Sequence, residues 1–458
     1  MIVDENAKPA GLSTRRERAG WYTYDWANSA FQTTVVTVFL GPYLTGIANN
    51  AAGCADLPSN EDCDTRIPLL FLDILPGQLF PYMISVAVIL TVVGLPLVGA
   101  IADRSPYKRE LLVFFAYVGA GATIGMLFLV GDRYLLGSVL FLIANISFGA
   151  SVVVYNSFLP QLAGPDDRDR VSSAGWAIGY FGGGLLLALN LFALMMRESL
   201  GLSEGDVARY CIVSAGIWWA AFTTVPLLTL RNRPPLAGVA RGFLLTDGFR
   251  QLWHTLKQLR AFPLTLLFLL AYLVYSDGIA TVISLSALYG SEELELSQRT
   301  LVLTILVVQF VAFFGAMGMS RIAAHIGAFR TVLGSLVLWG LVVTSAYFLP
   351  ARQVVPFLLL GVLIGLVLGG SQALSRSLFS QLIPKGKEGE FFGIFEITDK
   401  STSWLGPLVF GLALGITGSY RVAIISVVLF FAVGFVLLLT VPMRRAIIAA
   451  GNTPPRVL

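Results

Sequence analysis

Long apolar runs dominate the chain, and short polar stretches, many of them basic, cut them at regular intervals. A hydrocarbon core takes ~20 apolar helical residues to cross. On that measure the pattern predicts twelve spans, near 20–48, 79–101, 111–130, 134–159, 173–196, 210–230, 263–288, 301–320, 331–349, 354–379, 393–417 and 422–441. The polar stretch 231–262 divides them six and six. This gives an N-terminal six-helix half over 1–230, a linker over 231–262 and a C-terminal six-helix half over 263–458. The linker carries six Lys or Arg. Its 249–259 portion reads either as a short amphipathic helix on a membrane surface or as part of an ordinary solvated linker. The loop 49–78 is expected to pack as a small lid.

Charge placement orients the spans. If the N-terminus lies inside, Lys and Arg favour the inside segments roughly three to one, which predicts that both termini and the linker are cytoplasmic. Segment 1–20 is polar and lacks an apolar core of its own, so the first span is expected to act as the insertion signal. Composition agrees: the 458 residues are 56% hydrophobic and 13% charged, with a mean hydropathy of +0.77, whereas soluble domains carry about 25% charged residues. The net charge of +4 follows from the inside loops and does not indicate a nucleic-acid partner. No nucleotide-binding loop, nucleophile–base set or metal-ligand cluster is visible, so no enzyme activity, cofactor or metal is expected. The two histidines, His254 and His325, fall in predicted loops. Cys54 and Cys63 lie nine apart in one polar loop, as a disulfide or as two free thiols.

The most informative stretch is 369–407, GGSQALSRSLFSQLIPKGKEGEFFGIFEITDKSTSWLGP. It is strongly apolar, yet it holds Arg376, Glu396, Asp399 and Lys400. A charge at the centre of a membrane helix costs roughly 3 kcal/mol, so three in one span would cost on the order of 9 kcal/mol if they faced lipid. They must face protein or a water-filled cavity. Glu396 and Lys400 have the spacing and order of a helical ion pair. A shift of 220 residues places Ser157, Gln161 and Leu162 on Ser377, Gln381 and Leu382, where the fourth span should match the tenth in a duplicated architecture.

This stretch resembles the signature of major facilitator permeases related to fungal vacuolar effluxers and their bacterial relatives. Three others agree with it: Tyr24-Asp25-Trp26-Ala27-Asn28-Ser29, SAGWAIGYFGGG over 173–184, and FLLAYLVYSDGI over 268–279. The resemblance implies an all-α major facilitator fold of twelve transmembrane helices in two six-helix halves, with spans one, four, seven and ten lining a central cavity. It also implies export of amino acids or similar small metabolites. Gly99-Ala100-Ile101-Ala102-Asp103-Arg104, followed by Lys108 and Arg109, is similar to the loop signature between spans two and three, with Pro106 and Tyr107 departing from it. Asp103 is expected to meet the N-terminus of span eleven, where exposed N–H groups favour anions.

Candidate site residues follow. Substrate or proton contacts are expected from Asp277, Tyr275, Asn28, Asn145, Asn156, Gln372, Trp176 and Tyr180; the alternative for Asp277 is a structural break in span seven at Ser276-Asp277-Gly278, which could itself serve gating. Gating and the intramembrane charge network are expected from Asp25, Arg376, Glu396, Asp399, Lys400, Asp103, Arg104 and Lys108, with Asp25 and Arg376 as a closing pair. Gly175, Gly179 and Gly183 form a small-residue row on span five, a span that in the resembling fold meets span eight, where Gly315 and Gly318 lie. Together these features predict a monomeric, multi-pass secondary transporter of a cytoplasmic membrane. It works on a small molecule by alternating access, with proton coupling through buried carboxylates and membrane lipid as its surroundings. The alternatives are a lipid or amphiphile flippase on the same fold, and a transport-inactive scaffold or sensor.

Overall fold

The computed structural model describes residues 13–54, 63–69, 72–235, 260–400 and 405–458. The chain enters its first helix at a capping box. Thr14 Oγ1 accepts from the Glu17 N–H at 3.2 Å, and Glu17 Oε2 accepts from the Thr14 N–H at 2.9 Å, satisfying backbone groups that a helix start leaves open. Helix α1 (Arg15–Ala30) runs through a widened π segment (Phe31–Phe39) into α2 (Leu40–Ala51) as one membrane-length rod.

The rest of the first half follows as α3 (Leu79–Arg104), α4 (Lys108–Gly125), α5 (Tyr134–Asn156), the short α6 (Leu159–Leu162), α7 (Arg168–Met195) and α8 (Glu204–Thr229). The second half holds α9 (Pro263–Glu292), α10 (Gln298–Ile326), α11 (Ala328–Tyr347), α12 (Val354–Gln381), α13 (Glu388–Lys400), α14 (Leu405–Thr417), α15 (Tyr420–Ser426), α16 (Val428–Leu439) and α17 (Met443–Ala449). Among the described residues, eleven helical runs are long and apolar enough to cross a membrane. The expected eleventh span is helical where it is described, as α13 and α14, and 401–404 lie outside the described residues. Residues 249–259, read as a surface helix or as ordinary linker, lie outside the described residues.

Buried apolar side chains gather into two large clusters. One draws on Trp21, Phe31, Tyr155 and Trp219, the other on Phe268, Tyr275, Trp339 and Phe379. Large apolar side chains also point outward, among them Phe114, Leu228, Phe314 and Ile416, as a lipid-facing surface requires. The chain passes between two ends. The end with the α3–α4, α5–α7, α10–α11 and α12–α13 connections holds most of the Lys and Arg and is called the basic end below.

Three expectations need correction. Span seven has no break: α9 is continuous through Ser276, Asp277 and Gly278, and Gly278 packs against Phe430 and Phe431. Span five does pack along span eight, with Gly184 against Gln309 and Phe310, but that face does not carry the row Gly175, Gly179 and Gly183. The row packs against Asp25, Ser29 and Thr33 of the first rod, while Gly315 meets the α12 backbone at Gly365 and Leu366. Small residues mark where backbones approach, without saying which helix approaches. His325 sits in the last turn of α10 rather than in a loop, and His254 lies outside the described residues.

Opposite the basic end, the loop after α2 forms an antiparallel hairpin, β1 (Ile67–Leu69) with β2 (Leu72–Ile74), which α5 anchors through Tyr134 Oη donating to the Pro68 carbonyl at 2.7 Å. Cys54 and Cys63 are joined by a disulfide, with Cα atoms 6.0 Å apart. Proteolytic mapping of protein purified without reductant is expected to return a peptide pair linked through these two cysteines. Recovery of both as alkylated thiols would contradict the pairing.

Candidate functional site

A cavity of 450 Å³ lies between the two halves. Helical periodicity decides what lines it. On α9, Tyr272, Ala280, Ile283 and Ala287 recur at turn spacing and face the cavity. On α5 the lining residues are Phe148, Val152 and Asn156, and on α12 they include Leu368, Gln372 and Arg376. The π segment contributes Gln32, Thr33 and Thr37. Away from the basic end the walls are largely apolar, with Leu301, Ile305, Val308 and Phe357.

The floor, toward the basic end, is charged and hydrogen-bonded. Arg376 is 3% exposed. Its Nε donates to Ser172 Oγ at 2.9 Å, its Nη2 to the Ser172 carbonyl at 2.8 Å and its Nη1 to Asn156 Oδ1 at 3.2 Å. Asp25 Oδ2 lies 3.6 Å from Nη1 and accepts from Tyr155 Oη at 2.5 Å. The rings of Trp21, Trp176 and Tyr155 stand 5.0, 5.4 and 5.6 Å from the guanidinium carbon, close enough for cation–π attraction. Asn156 donates onward from Nδ2 to Glu396 Oε1 at 2.9 Å. Asp399 accepts from Tyr272 Oη at 2.7 Å and Ser276 Oγ at 3.2 Å. Above Arg376, Tyr180 Oη donates to Gln372 Oε1 at 2.5 Å and ties α7 to α12.

Below the floor the halves are pinned again. Ser377 Oγ donates to Asp169 Oδ1 at 2.6 Å, Arg168 Nη1 to the Ser380 carbonyl at 3.0 Å, and Ser172 Oγ to the Ala373 carbonyl at 2.7 Å. At the outermost level Asp103 accepts from the N–H groups of Gly389 at 2.7 Å and Glu390 at 3.0 Å, in the first turn of α13. Lys108 Nζ lies 3.5 Å from Asp103 Oδ1, and Arg104 closes α3 beside it. Gly99 is required here: a Cβ on it would stand 2.1 Å from the Gly389 carbonyl oxygen. Among the described residues, one hydrogen bond between the halves lies farther from the basic end than Tyr180–Gln372. It runs from Gln309 Nε2 to Thr33 Oγ1 at 2.9 Å.

Of the residues singled out in the sequence, Asn28, Asn156, Trp176, Tyr180, Gln372, Asp25, Arg376, Glu396 and Asp399 line the cavity. Three expected there do not. Asn145 lies outside the lining. Tyr275 is turned to Ser375, with oxygens 2.7 Å apart. Asp277 follows Ser276 by a further ~100° around the helix and points behind the cavity wall toward Gly406 of α14. It is 1% exposed, and neither carboxylate oxygen has a hydrogen-bond partner among the described residues. The side chain of Lys400, and with it the expected pair to Glu396, lies outside the described residues. The sequence reading missed Ser172, Asp169, Arg168 and the Gln309–Thr33 contact. The 220-residue repeat pointed to this end of the bundle, but not to the α7 residues that complete it.

A charged, cross-linked floor beneath a cavity shared by two helical halves is the construction of a major facilitator transporter, and the solved structures agree. The human organic anion transporter MFSD10 superposes with a TM-score of 0.66 at 16% identity, covering 93% of this chain and 99% of that one. The proton:xylose symporter XylE gives 0.66 at 13% identity, covering 93% and 94%. At these identities the likeness shows the fold alone. The family comes from sequence: the profile of vacuole effluxer Atg22-like proteins matches residues 13–451, and the chain belongs to that family. An uncharacterized MFS-type transporter, YxiO of Bacillus subtilis (strain 168), is 28% identical over 432 residues, covering 94% of this chain and 95% of its own. Autophagy-related protein 22-1 of Penicillium rubens is 28% identical over 542 aligned positions, covering 94% and 91%.

The Asp103 contact generates a direct expectation. Hydrogen bonds to a charged group contribute about 1.5–3 kcal/mol, so Asp103→Asn should raise the fraction open at the basic end on the order of tenfold or more. Spin labels at Tyr107→Cys and Lys385→Cys, with Cys211→Ser, read that fraction as a longer distance. An unchanged distance distribution would reject the latch.

Proposed function

We propose that the protein is a secondary active exporter of a small zwitterionic metabolite, an amino acid or close analogue, working by alternating access across a cytoplasmic membrane. The observation that carries the reading is the cavity floor, where Arg376 of one half stands with Asp25 of the other and with Glu396 and Asp399. A solute bearing both an amine and a carboxylate finds charges of both signs there. It can also compete for contacts that hold the halves together, which is what binding must do to bias a conformational equilibrium. The volume of 450 Å³ falls within the range of small-molecule sites, about 300–1,000 Å³. The efflux direction draws on the family description, vacuole effluxer.

The positive-inside bias supports an orientation with the basic end and both termini in the cytoplasm. On that orientation the sealed floor faces the cytoplasm and the cavity faces outward. The moving bodies are the halves 1–230 and 263–458, with 231–262 as the tether. Coupling to protons is assigned to Asp277. It lies behind the wall that carries Tyr272 and Ser276, so a rotation of α9 that releases Asp399 would also change the surroundings of Asp277. A carboxyl whose access to water alternates can take up and release a proton in each cycle. The apolar upper walls also favour a second reading, transport of an amphiphile.

Counterflow into proteoliposomes with a labelled amino-acid mixture tests the assignment. Exchange is expected in the parent protein. Arg376→Ala removes one partner of a buried charge pair, a loss of about 3–5 kcal/mol, and should reduce exchange on the order of a hundredfold. Asp277→Asn should keep exchange but lose accumulation driven by a pH gradient. Lipid scrambling without amino-acid exchange would favour the amphiphile. Accumulation by Asp277→Asn with the parent's pH dependence would reject Asp277 as the coupling group.

A further inference from the structure

The basic end is closed on two flanks, and the Asp103 carboxylate serves one of them. On that flank α3 packs along α13, and the α3–α4 turn offers Asp103 to the first turn of α13. Six spans later in the chain, α10 packs along α7 in the same relation. The equivalent turn, His325 to Arg330, contains no Asp or Glu. The second flank therefore lacks the acidic side chain that fastens the first.

The segment that follows α17 occupies that place. Gly451, at φ +77°, turns the chain out of the helix. Asn452 Nδ2 then donates to the Gln381 carbonyl at 2.8 Å and the Ile383 carbonyl at 2.7 Å, capping the end of α12. Pro454 and Pro455 stiffen the next turn and lower the entropy cost of fixing it. The Arg456 N–H donates to Asp166 Oδ1 at 2.7 Å, and Arg456 Nε lies 3.6 Å from Asp166 Oδ2. Asp166 belongs to the other half, in the turn that leads into α7. Beyond it the backbone of Leu458 lies on Gly327, the residue between α10 and α11. A Cβ at Gly327 would stand 2.0 Å from the Leu458 carbonyl carbon.

We propose that residues 450–458 are a strap that fastens the second flank of the basic end, supplying from the end of the second half the contact that the α10–α11 turn cannot make. On both flanks the first half carries the acid and the second half donates. The α3–α4 turn carries the acid on one, and the turn into α7 carries it on the other, with the strap as donor. The two catches differ in strength. Asp103 is buried against backbone N–H groups, whereas Arg456 and Asp166 are exposed and screened by salt. The strap thus biases the end toward closure and releases more readily than the Asp103 latch, a place where modification or a partner could shift the cycle.

The test needs no substrate. Spin labels at Arg170→Cys and Arg330→Cys, with Cys211→Ser, flank the strap. Deletion of 452–458 and, separately, Asp166→Asn are each expected to raise the open-to-closed ratio at this flank by about two- to fivefold at low salt. High salt should reproduce part of the shift in the parent protein. If neither variant moves the distances, the strap is overturned. It is also overturned if the deletion moves them and Asp166→Asn does not, because the contact between the halves is then not the fastening. Should the deletion fail to fold, Asp166→Asn decides alone.

Discussion

Everything at the closed end depends on one buried cation. Arg376 is taken out of water by α12, and a guanidinium in that position must be surrounded by acceptors or it opposes folding. The acceptors come mainly from the opposite half: Ser172 on α7, Asn156 on α5 and Asp25 on α1. Solvation of a charge in one half has thus been delegated to the other. Separating the halves at this level exposes Arg376 and Asp25 together, so the state closed at the basic end persists until water or a solute can replace those contacts.

The same constraint explains the asymmetry of the cavity. Polar cross-links accumulate toward the basic end, through Tyr180–Gln372, the Arg376 cluster, Asp169–Ser377 and Asp103 with α13. Toward the other end the walls are apolar and one hydrogen bond, Gln309–Thr33, joins the halves among the described residues. Directional hydrogen bonds give a closed end a defined geometry, while apolar walls can slide. The close backbone crossing of Gly99 and Gly389 works with the bonds: it brings Asp103 near enough to reach the N–H groups of α13.

Much of this was legible in the sequence because charge in an apolar span is costly and therefore conspicuous. Arg376, Glu396 and Asp399 stood out for that reason, Asp25 and Asp103 through the motifs that hold them, and each lies at the floor or the latch. What the sequence lacked was helical phase and partner identity. Asp277 is a carboxyl in an apolar span, and helical phase turns it behind the wall. The glycines at 175, 179 and 183 announced a close approach, but the approaching helix is the first rod rather than α10. Ser172 gave no signal, since a serine in an apolar helix most often bonds its own backbone. The contact of Arg456 with Asp166 depends on tertiary placement, which no local pattern announces.

Thiol accessibility in sealed membranes tests the central claim, that the Arg376 cluster seals one end while the cavity opens to the other. Single cysteines would be placed at Ser286→Cys, on the cavity wall, and Ser377→Cys, within the seal, with Cys211→Ser and an impermeant maleimide applied from either face. The account predicts that Ser286→Cys reacts from the face opposite the basic end and Ser377→Cys from neither. Adding Arg376→Ala should make Ser377→Cys reactive from the basic face. The account is contradicted if, with Arg376 intact, Ser377→Cys reacts from the basic face as fast as Ser286→Cys does from the other.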